Sequence, residues 1–94
     1  MLGDLDPLLH SQLRLGIMSL LLTVDAADFT YLREKTNSTA GNLSVQLDKL
    51  SEAGYITIEK SFQGKKPRTR CRITKTGVQA FERYVEALKQ YINK

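Results

Sequence analysis

The sequence predicts a mainly α fold carrying one small antiparallel β-hairpin (α+β), and two adjoining stretches are the reason. Residues 38–55, STAGNLSVQLDKLSEAGY, read as one helix. Leu43, Leu47 and Leu50 recur at i, i+4 and i+7 on a single apolar stripe, which Ala53 extends. Directly after it, residues 55–74 read as strand, basic turn and strand. A shorter helical segment, Phe29 to Thr36, precedes the long helix across the polar link Asn37-Ser38. Helix, short polar link, amphipathic helix and β-hairpin, in that order, predict a winged helix-turn-helix.

Ninety-four residues are enough for one domain with a modest core, so residues 1–94 are expected to form a single unit. The run Leu15 to Val24 is nearly apolar, but Gly16, Ser19 and Thr23 interrupt it, and it is too short to span a bilayer. The N-terminus has no basic segment leading to a small-residue cleavage site, so a cytoplasmic protein without membrane contact is expected. Cys71 is the only cysteine and His10 the only histidine, which leaves a metal site in one chain without ligands. Cys71 alternates with arginines and reads as a small buried hydrophobe; the rival reading is a redox-sensing thiol activated by Arg70 and Arg72. His10 has no matching acid, nucleophile or metal partner and reads as a surface or interface packing residue.

The distribution of charge says more than the net +4. Lys60, Lys65, Lys66, Arg68, Arg70, Arg72 and Lys75 fall in residues 60–75 with no acid among them. The remaining seven basic residues face all ten acids, a net of −3. A local +7 on an otherwise slightly acidic chain marks an anion-binding surface, with a merely solvated hairpin as the bland alternative.

In chain order, Met1 to Pro7 form an arm, with Pro7 fit to open a helix. From Leu8 to Val24 the pattern is helical, with Leu9, Leu13, Ile17, Leu20, Leu21 and Val24 on one stripe; a helix capped by Ser11 and starting at Gln12 is the alternative. Asp28 is positioned to cap the helix from Phe29, and a brief extended pairing around residues 28–30 would add a third strand to the hairpin. Ser38 or Thr39 caps the next helix, and Gly54 ends it. In the hairpin, Ile56 and Ile58 alternate with Tyr55, Thr57 and Glu59, and residues 63–67 make the turn. On the return strand, Thr69, Cys71 and Ile73 take one face and Arg68, Arg70 and Arg72 the other. Thr74 or Thr76 caps the last helix.

That helix, residues 76–94, carries Val78, Phe81, Val85, Leu88 and Ile92 at spacings of three, four, three and four, an a/d seam. A seam at the end of a chain needs a partner surface. We expect a homodimer joined through the terminal helices, with Leu13 and Ile17 of the first long helix sharing the interface; folding back onto its own domain is the alternative.

Three stretches, LDPLLHSQLRLGIMSLL, DFTYLREKTNSTAGNLSVQLDKLSEAGYITIEKSF and GKKPRTRCRITKTGVQAFERY, together resemble small single-domain winged-helix regulators of the MarR/ArsR-like group over roughly residues 5–90. NLSVQLDKLSEAGYI looks like recognition helix plus first wing strand, and TRCRITKTG like the close of the wing. The resemblance implies a homodimer that binds double-stranded DNA and controls transcription, with the recognition helix in the major groove and the wing on the backbone or minor groove. Metal sensing, which ArsR-type members perform through paired cysteines or histidine–carboxylate clusters, has no matching residues here. The recognition helix is also less basic than in many relatives, which puts more of the affinity on the wing.

Duplex binding needs phosphate neutralisation for affinity and groove contacts for sequence. Lys65, Lys66, Arg68 and Arg70 are expected on phosphates. Along the recognition helix, about residues 39–53, the DNA-facing set is Thr39, Asn42, Ser44, Val45, Gln46 and Lys49. Gln46 and Asn42 are the leading base readers, because Asn and Gln pair with adenine through two hydrogen bonds, and Val45 fits a thymine methyl. The rival function is a protein-interaction module on the same fold. No nucleophile–base pair, glycine-rich phosphate loop or carboxylate cluster is present, so neither an enzyme nor a cofactor is expected, and the residues identify no effector.

Overall fold

A computed structural model describes residues 2–93. The first helix, α1, spans Gln12–Leu21. Its start is the later of the two expected ones, with the Ser11 hydroxyl accepting from the Arg14 backbone N–H at 3.4 Å. Upstream, Pro7 sits in a turn, not a helix. Asp6 holds that turn, its Oδ1 accepting from the Leu8 N–H at 3.0 Å and its carbonyl accepting from Leu9 and His10. Downstream, Thr23 turns its hydroxyl onto the Leu20 carbonyl at 2.8 Å, a local bond that competes with helix continuation. Leu22 and Val24 are therefore outside α1 and exposed.

Strand β1 is two residues long, Ala27–Asp28, and leads straight into α2, Phe29–Thr36. Asn37 closes α2 in the left-handed conformation, φ 53°. Thr39, not Ser38, caps α3, Ala40–Glu52, by accepting from the Asn42 N–H at 3.1 Å. The wing consists of β2, Ile56–Gln63, and β3, Lys66–Ile73, and the sheet order is β1-β3-β2, all antiparallel. The third strand therefore exists, but over residues 27–28, one position earlier than expected at its start, pairing Ala27 with Cys71 and Asp28 with Arg70.

The wing turn is tighter than residues 63–67. Only Gly64 and Lys65 separate the strands, and Gly64 alone has positive φ, +66°, as a two-residue type II′ connection requires. Pro67 lies within β3, paired with Phe62. It is tolerated there because β1 reaches only Arg70 and Cys71, so the strand side that lacks its N–H has no neighbour.

One core joins these elements. Leu9, Ile17, Met18 and Leu21 meet Leu32 of α2, Leu43, Leu47 and Leu50 of α3, and Ile56 and Cys71 of the sheet. The stripe read along residues 43–50 is thus the buried face of α3. Ile17 is wholly inside this core, which corrects its assignment to a dimer interface: α1 is short, and its apolar side is consumed within the protomer. Leu13 is half-buried and packs on the same core.

The last helix, α4, spans Lys75–Ile92, and Thr74 caps it by accepting from the Gly77 N–H at 3.0 Å. Its buried residues are Gly77, Ala80, Tyr84 and Ala87, not the expected seam. Phe81 and Leu88 from that seam also lean on the core, so the helix does fold back in part. Val78 and Val85 stay half-buried at the edge of the core, and Ile92 is 70% exposed. The N-terminal arm lies along α4. Gly3 donates its N–H to the Gln90 side chain and accepts from the Tyr91 hydroxyl at 2.9 Å. His10 packs as expected, its Nδ1 3.0 Å from the Tyr84 hydroxyl.

Candidate nucleic-acid interface

The surface of α3 opposite its leucine stripe faces solvent. Thr39, Asn42, Ser44, Val45 and Lys49 are exposed, Val45 by 52%, an unusual display for a β-branched residue on a helix that also feeds the core. Residues 36–47 contain no charged side chain; Asp48 and Glu52 appear only in the second half of the helix. An anionic duplex therefore meets least repulsion at the N-terminal half, the end that helix-turn-helix proteins direct at base edges.

Gln46 is placed differently. It is half-buried on the flank towards α1, where the Arg14 guanidinium donates to its Oε1. Its Nε2 donates to Asn42 Oδ1 at 2.9 Å. Both ends of its amide are thus bonded within the protein, and the structure sets it behind Asn42 instead of beside it on the open face. On the other flank, Ser44 and Asp48 form one wall of a 270 Å³ cleft whose opposite wall is Ile58, Lys60 and Thr69 of the wing.

Six of the seven basic residues of the +7 segment lie in the wing and divide into two populations; the seventh, Lys75, opens α4. Arg68 makes a two-point pair with Asp28, Nε to Oδ1 at 3.1 Å and a terminal nitrogen to Oδ2 at 3.3 Å. Arg70 Nε lies 3.7 Å from the same carboxylate, and Arg72 Nε donates to Glu59 at 3.0 Å. The acids come from β1 and β2, outside the basic run. Asp28, expected as a helix cap, makes no side-chain cap bond because its carboxylate is turned to these arginines. Lys60, Lys65 and Lys66 are exposed and make no ion pair among the described residues. The unpaired positive charge of the wing is therefore lysine, Lys65 and Lys66 at the hairpin tip and Lys60 along β2, with Arg68 and Arg70 half-buried nearer the body.

Phe62 was not singled out from the sequence. It shares the strand face of Ile56 and Ile58, which periodicity would bury, yet it is 74% exposed. The hairpin outruns the body after Ile58, so Phe62 stands in solvent among Lys60, Lys65 and Lys66. The length of the strand, eight residues, was the available signal.

Cys71 lies in the core, and burial, reinforced by the nearby Asp28 charge, pushes its thiol up to about 11. Such a thiol is protonated and shielded at neutral pH, the reverse of an activated one. Among the described residues no three His, Cys, Asp or Glu side chains gather as a metal site, and no helix is long and apolar enough to cross a membrane.

Comparison with known proteins agrees with this geometry. Residues 13–92 match the family model described as a winged helix DNA-binding domain. An uncharacterized protein of Methanocaldococcus jannaschii is 37% identical over 81 residues, covering 86% of this chain and 88% of that one. The structure of a transcriptional regulator homologue from Pyrococcus horikoshii superposes with a TM-score of 0.84 at 31% identity, over 92% of this chain and 85% of that chain. At lower identity the fold recurs in a MarR-family regulator from Silicibacter pomeroyi (TM-score 0.70, 20% identity, 88% of this chain, 55% of that one). It recurs also in Bacillus subtilis PadR solved with operator DNA (TM-score 0.70, 19% identity, 80% of this chain, 48% of that one). The helix-turn-helix, the three-stranded wing sheet and the family match converge: this chain belongs to the winged helix DNA-binding domain family, a family of DNA-binding regulators and not of enzymes.

Proposed function

We propose that the protein is a cytoplasmic, sequence-specific transcriptional regulator that binds double-stranded DNA as a homodimer. The N-terminal half of α3 enters the major groove through Thr39, Asn42, Ser44 and Val45, with Lys49 towards the backbone. Lys65 and Lys66, joined by Lys60, meet phosphates, while Arg68 and Arg70 hold the root of the wing and lend it their residual charge. The observation that carries this reading is the pairing of an uncharged, solvent-facing helix start with a hairpin tip of unpaired lysines. The first suits base edges and the second suits phosphates. PadR, of like fold, was solved with operator DNA, which supports the same partner here. Two copies of α3 would address successive major grooves about 34 Å apart, so the site is expected to be pseudo-palindromic.

The test is titration of selected and scrambled duplexes at several salt concentrations. Replacing Lys65 and Lys66 by Gln should weaken binding to both duplexes alike and reduce the salt slope by roughly 0.9 per lost contact. Absence of salt-sensitive retention on any duplex would reject the reading and favour a protein-docking module.

A further inference from the structure

Beyond Ile58 the two faces of the wing differ in character. One carries Ser61, Gln63, Lys66 and Arg68. The other continues the line of Ile56 and Ile58 with the cross-strand pairs Lys60–Thr69 and Phe62–Pro67. This second face looks across the cleft at α3, where Ser44 and Asp48 stand opposite Ile58, Lys60 and Thr69. Past Ile58 it bears no acid, since Glu59 is on the other face and bonded to Arg72. Phe62 and Pro67 at its far end are both exposed. The fold therefore gives the Phe62 ring nothing to pack on, and the lysines beside it, unpaired among the described residues, select an anionic partner over an apolar protein surface.

The reach of the hairpin says where on a duplex that ring would lie. Four residues at about 3.3 Å each put Phe62 roughly 13 Å past Ile58 along the strand. With α3 in a major groove, the next opening is the minor groove, about half a turn or roughly 17 Å away centre to centre. The width of the cleft between α3 and β2 supplies the remainder. Lys60, two residues nearer the body on the same face, then falls at the phosphate ridge between the grooves. Resting on the reading of α3 as the helix that meets DNA, we propose that Phe62, backed by Pro67, is an apolar reader of the adjoining minor groove that selects against G·C pairs. An A·T pair shows only acceptors on that groove's floor, whereas G·C adds the guanine N2 amino group, which rises from it. A ring pressed onto the floor meets that group sterically and leaves its donor unpaired. Phenylalanine and proline are also among the side chains that minor-groove proteins use as apolar wedges. The contact carries no charge, so it adds affinity without adding to the salt slope.

The experiment uses the full chain and duplexes that share the selected major-groove sequence but differ in the adjoining minor-groove steps, made A·T, G·C or inosine·C. Inosine is guanine without the N2 amino group; it keeps O6 and N7 in the major groove, so it changes only the edge that Phe62 is proposed to read. The wild type should bind the A·T and inosine·C flanks more tightly than the G·C flank, by roughly 3- to 30-fold for partial burial of a phenyl ring. Phe62→Ala should bind all three alike, at the strength the wild type shows on G·C, with unchanged salt slope and unchanged urea midpoint. Phe62→Leu, which keeps an apolar tip, should retain part of the discrimination. Equal loss by Phe62→Ala on every flank, or no loss on any, overturns the proposal while leaving DNA binding intact. A wild type that treats inosine·C like G·C does the same. So does a Phe62→Ala protein whose sedimentation without DNA differs from the wild type, which would assign the ring to a contact between copies. Failure of the wild type to retain any duplex overturns both the proposal and the functional reading beneath it.

Discussion

At the scale of single residues, the lone cysteine shows how position in the fold decides chemistry. Flanked by two arginines in sequence, Cys71 has the neighbours of a reactive thiol, but β-alternation turns the arginines outward and the sulfur into the core. Its raised value has a direct consequence for stability. The unfolded chain's thiol loses its proton near its ordinary value of 9.0, while the folded one keeps it up to about 11. Below pH 9 the stabilisation is complete; between the two values the folded state binds more protons, so stability falls as pH rises. Urea melts at pH 8, 9 and 10 should show a steeper loss for the wild type than for Cys71→Ala. Equal slopes would mean that burial does not hold the proton on. A thiol reagent should likewise fail to label the native protein at neutral pH.

At the scale of elements, the joint between wing and last helix is a close approach of backbone to backbone. The Tyr55 carbonyl, at the root of β2, accepts from the Thr74 N–H at 3.0 Å and lies where a Cβ on Gly77 would be only 2.1 Å away. No rotamer relieves a clash with backbone. Gly77→Ala should therefore destabilise the fold by about 1–3 kcal/mol, read as a lower urea midpoint at unchanged m-value. This joint was invisible in the sequence, where Gly77 reads only as a poor helix former, whereas α2, α3 and both wing strands were legible because their periodicities of 3.6 and 2 are undisturbed. For α1 the start at Gln12 was one of two left open, and the end was not legible, since the apolar stripe continues to Val24 through residues that turns, and not the helix, place in solvent. The candidate site was half legible. Exposure of Asn42 and Val45 follows from the position of the leucine stripe. The bond from Arg14 to Gln46, and the acids facing Arg68 and Arg72, join residues more than ten positions apart and leave no local signature.

At the scale of the whole molecule, α4 has two apolar borders and only one is covered. Ala80, Tyr84 and Ala87 face the core, and the line Val78, Val85 and Ile92, seven residues apart, runs beside it towards solvent. If that border joins two protomers, Val85→Glu should convert a sedimenting dimer into a folded monomer, because Val85 is not among the residues packed on the core. Leu88→Glu is a poorer probe, since Leu88 supports the protomer itself. A wild type that sediments as a monomer at high micromolar concentration would remove the interface. The shape of the wing has a different consequence, for solubility. Beyond Arg70 the hairpin has no third strand, so two lines of backbone donors and acceptors lie open on either side of an exposed Phe62. Such a ribbon is a template for pairing with another chain, and flanking lysines and a proline are what discourage it. Lys60, Lys65, Lys66 and Pro67 stand at that place, so the charges proposed as grips for phosphate are also positioned to oppose edge-to-edge pairing of unbound copies.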